Sequence, residues 1–172
     1  MSEFHVTPRM NRDDGYGYAY LTITGAGSAQ AITDRLGVEP SESWSQGDAR
    51  INHRTGEPRL KPDGSALPPY EFMRWSLASN LSNDKPAEAH VHKLLKDTEP
   101  IADALRDLPS AYRKTLCVVG YAYQSFGFTL PPNAACSLAS LGLRLELDIY
   151  PQGDVRDIIT ELVEDLQLSR TA

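Results

Sequence analysis

Glu146 and Asp148 stand two residues apart in an alternating run, so in an extended chain their carboxylates share one face. Paired carboxylates can exchange protons with a substrate or hold a divalent cation. Arg144 belongs to the same face and Arg74 is expected to join it, and a salt-bridged, solvated surface explains the group with less. His90 and His92 are the next candidates. Their i,i+2 spacing sends them to different sides of a helix, whereas two ligands on one helical face need i,i+3 or i,i+4. His90 falls on the apolar side and reads as a packed, hydrogen-bonded histidine; His53 lies in a loop and His5 in the N-terminal arm. Gly25-Ala26-Gly27-Ser28-Ala29-Gln30 lies between a strand and a helix, as a dinucleotide fingerprint does. Gln30 occupies the place of the third glycine, and no acidic residue ends a strand about 20 residues later, so the stretch reads as a tight turn with a serine cap. No Gly-x-Ser-x-Gly elbow, P-loop or Cys/His nucleophile pattern is present. The residues therefore assign no catalytic group, no cofactor and no metal site, and lean away from an enzyme.

Aromatic and basic residues offer a different chemistry, that of recognition. Tyr16, Tyr18 and Tyr20 alternate with the apolar set Ala19, Leu21 and Ile23; Tyr121 and Tyr123 share a face, and Tyr150 joins the polar side of a later strand. Tyrosine is rigid, amphipathic and enriched at interfaces, although its β-propensity alone also explains its presence in strands. Arg50, His53, Arg54, Arg59 and Lys61 form a basic cluster in a loop, able to meet a phosphate or an acidic patch or simply to be solvated.

The elements that must position these residues follow from periodicity. Leu143, Leu145, Leu147 and Ile149 alternate with Arg144, Glu146, Asp148 and Tyr150, which predicts a main strand with a buried and a polar face, closed by Pro151. A strand is predicted over 16–24, and a helix capped by Ser28 follows, with Gly37 as its stop. From 41 to 70 the pattern dissolves into a long loop anchored by Trp44, with a short strand near 57–60. Phe72 to Ala78 reads as a strand with Met73, Trp75 and Leu77 on one side and Phe72, Arg74 and Ser76 on the other. A long helix carries His90, Val91, Leu94, Leu95, Ile101 and Leu105, and Pro100 should divide it near Thr98. A strand over 116–125, a short helix from Pro131 to Leu141 and the main strand complete the domain. Val155, Ile158, Ile159, Leu162 and Leu166 predict a C-terminal amphipathic helix over 152–172, and residues 1–15 read as a polar arm. The order β-α-β-α-β-α-β predicts an α+β domain over 16–151, with a mostly antiparallel sheet of four or more strands, helices on one face, and a ferredoxin-like relative as the nearest shape.

The chain has 172 residues, enough for one domain with a real core, and a formal charge of −6, which argues against a general binder of nucleic acid or anionic membrane. Cys117 and Cys136 are its two cysteines and both read as core residues. Without a signal-type h-region or a spanning apolar run, a cytoplasmic protein is expected.

The order of landmarks resembles a family. Tyr18-Ala19-Tyr20-Leu21-Thr22-Ile23, Ile32-Thr33-Asp34-Arg35-Leu36-Gly37-Val38-Glu39-Pro40, Ser43-Trp44-Ser45-Gln46-Gly47-Asp48, Trp75-Ser76-Leu77, the helix with His90 and Leu94-Leu95, and Leu147-Asp148-Ile149-Tyr150 together resemble the bacterial family known as domain of unknown function 4279. The resemblance implies a bacterial α+β domain and no particular activity, cofactor or catalytic residue.

The leading expectation is a non-enzymatic, cytoplasmic protein-binding domain. Its most concrete form is an immunity or antitoxin protein that occludes a basic toxin surface with Tyr18, Tyr20, Asp148 and Tyr150 or with the acidic C-terminal helix. The alternative is a small-ligand or anion-binding domain in which Trp44, Arg74, Trp75 and His90 converge under the loop 41–70. A metal-assisted hydrolase using Glu146, Asp148 and a histidine is the third reading.

Overall fold

A computed structural model of the chain describes residues 16–52, 54–122 and 126–151. The predicted N-terminal arm, the C-terminal amphipathic helix, His53 and Tyr123 lie outside these residues.

The domain is α+β. Five strands, β1 (Tyr16–Gly25), β2 (Glu42–Trp44), β3 (Met73–Ala78), β4 (Arg113–Ala122) and β5 (Arg144–Pro151), form one sheet in the order β2-β3-β1-β4-β5. The pairings β2–β3, β3–β1 and β1–β4 are antiparallel, and β4–β5 is parallel. The central strand is β1, not β5, which lies at an edge. The predicted order had one strand between the first helix and the long helix; the structure has two, because Glu42-Ser43-Trp44 pairs with Arg74–Ser76 as β2. A three-residue strand is too short to show a period. The predicted strand near 57–60 reduces to isolated bridges, Ile51 with Pro58 and Leu60 with Ala66.

The helices obey the local signals. Ser28 Oγ accepts from the Gln30 N–H at 3.1 Å to open α1 (Ala29–Leu36), and Gly37, at φ 67°, closes it by returning its N–H to the Thr33 carbonyl. The long helix α2 (Ala87–Thr98) ends where Pro100 removes a donor, and a 3₁₀ turn (Glu99–Ile101) leads into α3 (Ala102–Arg106). α4 (Pro132–Ser140) begins at a proline and hands the chain to β5 through Gly142, at φ 64°.

The helix layer lies on one side of the sheet, with α2 against β1 and β4, and α1 against β3. Between them Leu21, Ile23, Met73, Trp75, Leu94, Leu105 and Val118 are sealed from solvent. The apolar face predicted for β5 is only partly covered: Leu143 is buried, but Leu147 is 52% and Ile149 43% exposed. Their register with Val118 and Gly120 gives them the core-facing side, so the alternation is right. What fails is the cover, because among the described residues the layer meets this edge strand chiefly through α4, at the Leu143 N–H to Leu138 carbonyl bond of 2.9 Å. Cys117 is buried as expected, whereas Cys136, on the outer side of α4, is exposed. Among the described residues no helix is long and apolar enough to cross a membrane.

Candidate functional site

The side of the sheet opposite the described helices collects polar and aromatic residues from all five strands. The registers set them in transverse rows. Trp44, Arg74, Thr24 and Arg113 make the first; Glu42, Ser76, Thr22, Thr115 and Arg144 the second; Tyr20, Cys117 and Glu146 the third; Tyr18, Val119 and Asp148 the fourth; Tyr121 and Tyr150 the last. The face is therefore graded. Arg74, Arg113 and Arg144 lie at one end, with Glu42 at its β2 edge, while Glu146, Asp148 and most of the tyrosines lie toward the other.

Stacked rings and cations run across this face. The Arg50 guanidinium sits 4.8 Å from the centre of the Tyr70 ring, and Tyr70 stacks on Trp44 at 4.4 Å and 15°. Arg74 then lies between Trp44 and Tyr20, 5.3 and 5.1 Å from their ring centres. The series continues from Tyr20 to Tyr18 at 6.1 Å, to Tyr121 at 6.4 Å, and to Tyr150 at 5.3 Å. Its last ring donates its hydroxyl to the Asp148 carboxylate at 2.7 Å.

Arg74 is held by more than its rings. Its Nε donates to Ser76 Oγ at 2.9 Å, Ser76 Oγ donates to Thr22 Oγ1 at 3.2 Å, and Thr22 donates to the Trp75 carbonyl at 3.4 Å. These bonds tie the Arg74 guanidinium to side chains of β3 and β1 while its flat face remains able to stack on rings, which a lysine ammonium cannot do. Trp44 Nε1 and Arg50 Nε, at the other end of the stack, are buried without an acceptor. An unmade hydrogen bond of that kind costs about 1–3 kcal/mol, so these two donors are unlike the rest of the face. Beside them Ser43, Trp44, Asp48, Ala49, Ile51 and Tyr70 enclose a hollow of about 320 Å³.

The titratable groups are set for contact rather than proton transfer. Burial, with Tyr121 as hydrogen-bond partner, pushes the Tyr18 phenol up to about 12. Burial raises Tyr20 as well, against the opposing pull of Arg74. The Asp148 carboxylate raises Tyr150, and burial raises the Cys117 thiol, whose Sγ lies 4.0 Å from Glu146 Oε2. These groups stay protonated at neutral pH, and a protonated buried thiol is a poor nucleophile. Among the described residues no three of His, Cys, Asp and Glu are grouped as a metal site.

Six of the expected surface residues, Tyr18, Tyr20, Trp44, Arg74, Asp148 and Tyr150, lie on this one face. Trp75 and His90 do not join them. Both are fully buried on the helix side, where Trp75 Nε1 donates to Thr33 Oγ1 at 3.1 Å and His90 Nδ1 lies 2.6 Å from Ser79 Oγ. The pocket expected under the loop from Trp44, Arg74, Trp75 and His90 is thus divided by the sheet itself. The strand period already separates Arg74 from Trp75, since neighbours in a strand point to opposite sides. Arg50 and Tyr70 are site residues that periodicity could not find. They reach the face because the Gly47 N–H bonds the Tyr70 carbonyl at 2.8 Å and the Tyr70 N–H bonds the Asp48 carbonyl at 3.0 Å, folding the loop onto β2.

No curated protein and no solved structure matches the chain. The sequence model of the family described as Domain of unknown function (DUF4279) does match, over residues 15–152. That stretch takes in every strand of the sheet and all of the graded face, and the chain belongs to this family.

Proposed function

We propose that the chain is a non-catalytic protein-binding domain that receives its partner on the face of the sheet opposite the described helices. Its most concrete form is an immunity- or antitoxin-type protein that occludes a partner's working surface in a bacterial cytoplasm. The observation that carries this reading is the series of ring and cation contacts from Arg50 through Trp44, Arg74 and Tyr20 to Tyr150. Tyrosine, tryptophan and arginine are enriched among the hot spots of protein interfaces, and side chains already in contact with one another before binding lower its ordering cost. The grading sets the orientation: a basic patch on the partner meets Glu146 and Asp148, and an acidic one meets Arg74.

The test is capture of a partner from the native host by tagged wild-type chain, repeated with Arg74→Ala, Tyr18→Ala and, on the exposed surface of α2, Lys93→Ala. Retention of one partner by the wild type and Lys93→Ala, with at least tenfold loss in the two face variants, supports the reading. A partner lost on Lys93→Ala and kept by both face variants, or no partner at all, sinks it.

A further inference from the structure

A second site lies at the basic end of the sheet, around the connection from α3 to β4 and the turn from α4 to β5. Arg106, Arg113, Lys114 and Arg144 there line a hollow of about 540 Å³ with Tyr112 and Gly142, and no carboxylate lines it among the described residues. In a chain of net charge −6, four cationic residues lining one hollow run against the overall balance, with Arg113 and Arg144 reaching it from the graded face and Lys114 from the helix side. Neither Arg113 nor Arg144 meets a carboxylate among the described residues, and Arg106 is paired only with Asp103, whose side chain is 91% exposed. A pair so open to water screens the guanidinium little.

Lys114 forms the fixed point of the group. Its Nζ donates to the Leu105 carbonyl at 2.9 Å and to the Leu141 carbonyl at 3.1 Å, so it joins the ends of α3 and α4. An ammonium has three donors, and these bonds use two. The turn at Gly142 comes so close that a Cβ there would lie 3.4 Å from Nζ, which keeps a side chain out of the space beside the charge. Four cations around an open, polar hollow of this size suit a compact ligand with several negative charges, because arginine pairs with phosphate oxygens in bidentate fashion and each further phosphate adds a contact.

We infer that the hollow bounded by Arg106, Arg113, Lys114 and Arg144 is a binding site for a small molecule carrying two or more linked phosphates. It borders the basic end of the graded face through Arg113 and Arg144 but uses none of the stacked rings, so its test bears on this site and not on the ring contacts.

Calorimetric titration at physiological salt with tripolyphosphate and with orthophosphate tests the site. Comparison is with the pair Arg113→Gln/Arg144→Gln and with Arg59→Gln/Lys61→Gln, which removes the same two charges from the exposed loop. Lys114 is left intact because it also ties two helices together. Expected is saturable one-to-one binding of tripolyphosphate, tighter than orthophosphate, weakened at least tenfold in the first pair and unchanged in the second. Absence of saturable binding, equal weakening in both pairs, or orthophosphate binding as tightly as tripolyphosphate overturns the inference.

Discussion

His90 Nδ1 and Ser79 Oγ lie 2.6 Å apart, and both residues are closed off from solvent. The other ring nitrogen, Nε2, is buried without a hydrogen-bond partner, although the carbonyls of Ser82 and Lys85 and the charge of Asp84 are near enough to favour a protonated ring. Burial outweighs them and holds the imidazole below its ordinary 6.5. The native ring is therefore neutral, while the unfolded chain takes up a proton on acidification. Stability from this residue is complete above about pH 6.5 and is lost as pH falls toward the depressed native value, with a slope of at most about 1.4 kcal/mol per pH unit. In urea titrations between about pH 7.5 and 5.5, wild type is expected to lose stability more steeply than His90→Gln. Parallel slopes would show that His90 binds its proton equally in both states.

Trp75 and Thr33 make the corresponding tie between sheet and helix. The indole N–H donates to Thr33 Oγ1 at 3.1 Å, and both side chains are buried, so Trp75→Phe removes a donor and leaves a hydroxyl without it. The expected loss is about 1–3 kcal/mol from the unpaired group, in addition to the smaller ring. Thr33→Val added to Trp75→Phe should cost less than Thr33→Val alone, because the hydroxyl it removes no longer has a partner. A double-mutant cycle from denaturant unfolding is expected to show a coupling of about 0.5–3 kcal/mol. Additive effects of the two changes would mean that the bond contributes nothing net.

Much of this arrangement can be read from the chain, and the misses have identifiable causes. Alternation in β1 places Tyr18 and Tyr20 opposite Leu21 and Ile23, and the structure keeps that division across three neighbouring strands. Ser28, Gly37, Pro100 and Gly142 act where local backbone chemistry says they should. Alternation names the side to which Leu147 and Ile149 belong, but it carries no information on how far a helix layer extends, and both are left exposed. The stack was half visible. Tyr18, Tyr20, Trp44 and Arg74 stand out by type, but Arg50 and Tyr70 join through a loop closed by backbone bonds that have no period to betray them. His90 is the packed, hydrogen-bonded histidine that its helix position suggests, but offering it with Trp75 as a pocket residue gives residue type more weight than the helix and strand periods that bury both.

Gly17 and Gly120 face each other across β1 and β4, and the Phe126 ring lies over the pair. A Cβ on Gly120 would come within 2.5 Å of that ring, whereas one on Gly17 would come within 2.4 Å of the Val119 carbonyl oxygen. The two glycines are therefore required for different reasons. At Gly120 the obstacle is a side chain that substitution can remove; at Gly17 it is backbone held in the sheet. Gly120→Ala is expected to cost about 1–3 kcal/mol in the wild type through overpacking. In a Phe126→Ala background the same change should cost nothing or stabilise by about 0.5–1 kcal/mol, the ordinary gain from replacing a strand glycine. Gly17→Ala should destabilise in both backgrounds. Thermal and urea unfolding of the six chains in this set decides the matter: a Gly120→Ala penalty that survives removal of the Phe126 ring would mean that the two strands themselves, and not the ring above them, exclude the methyl group.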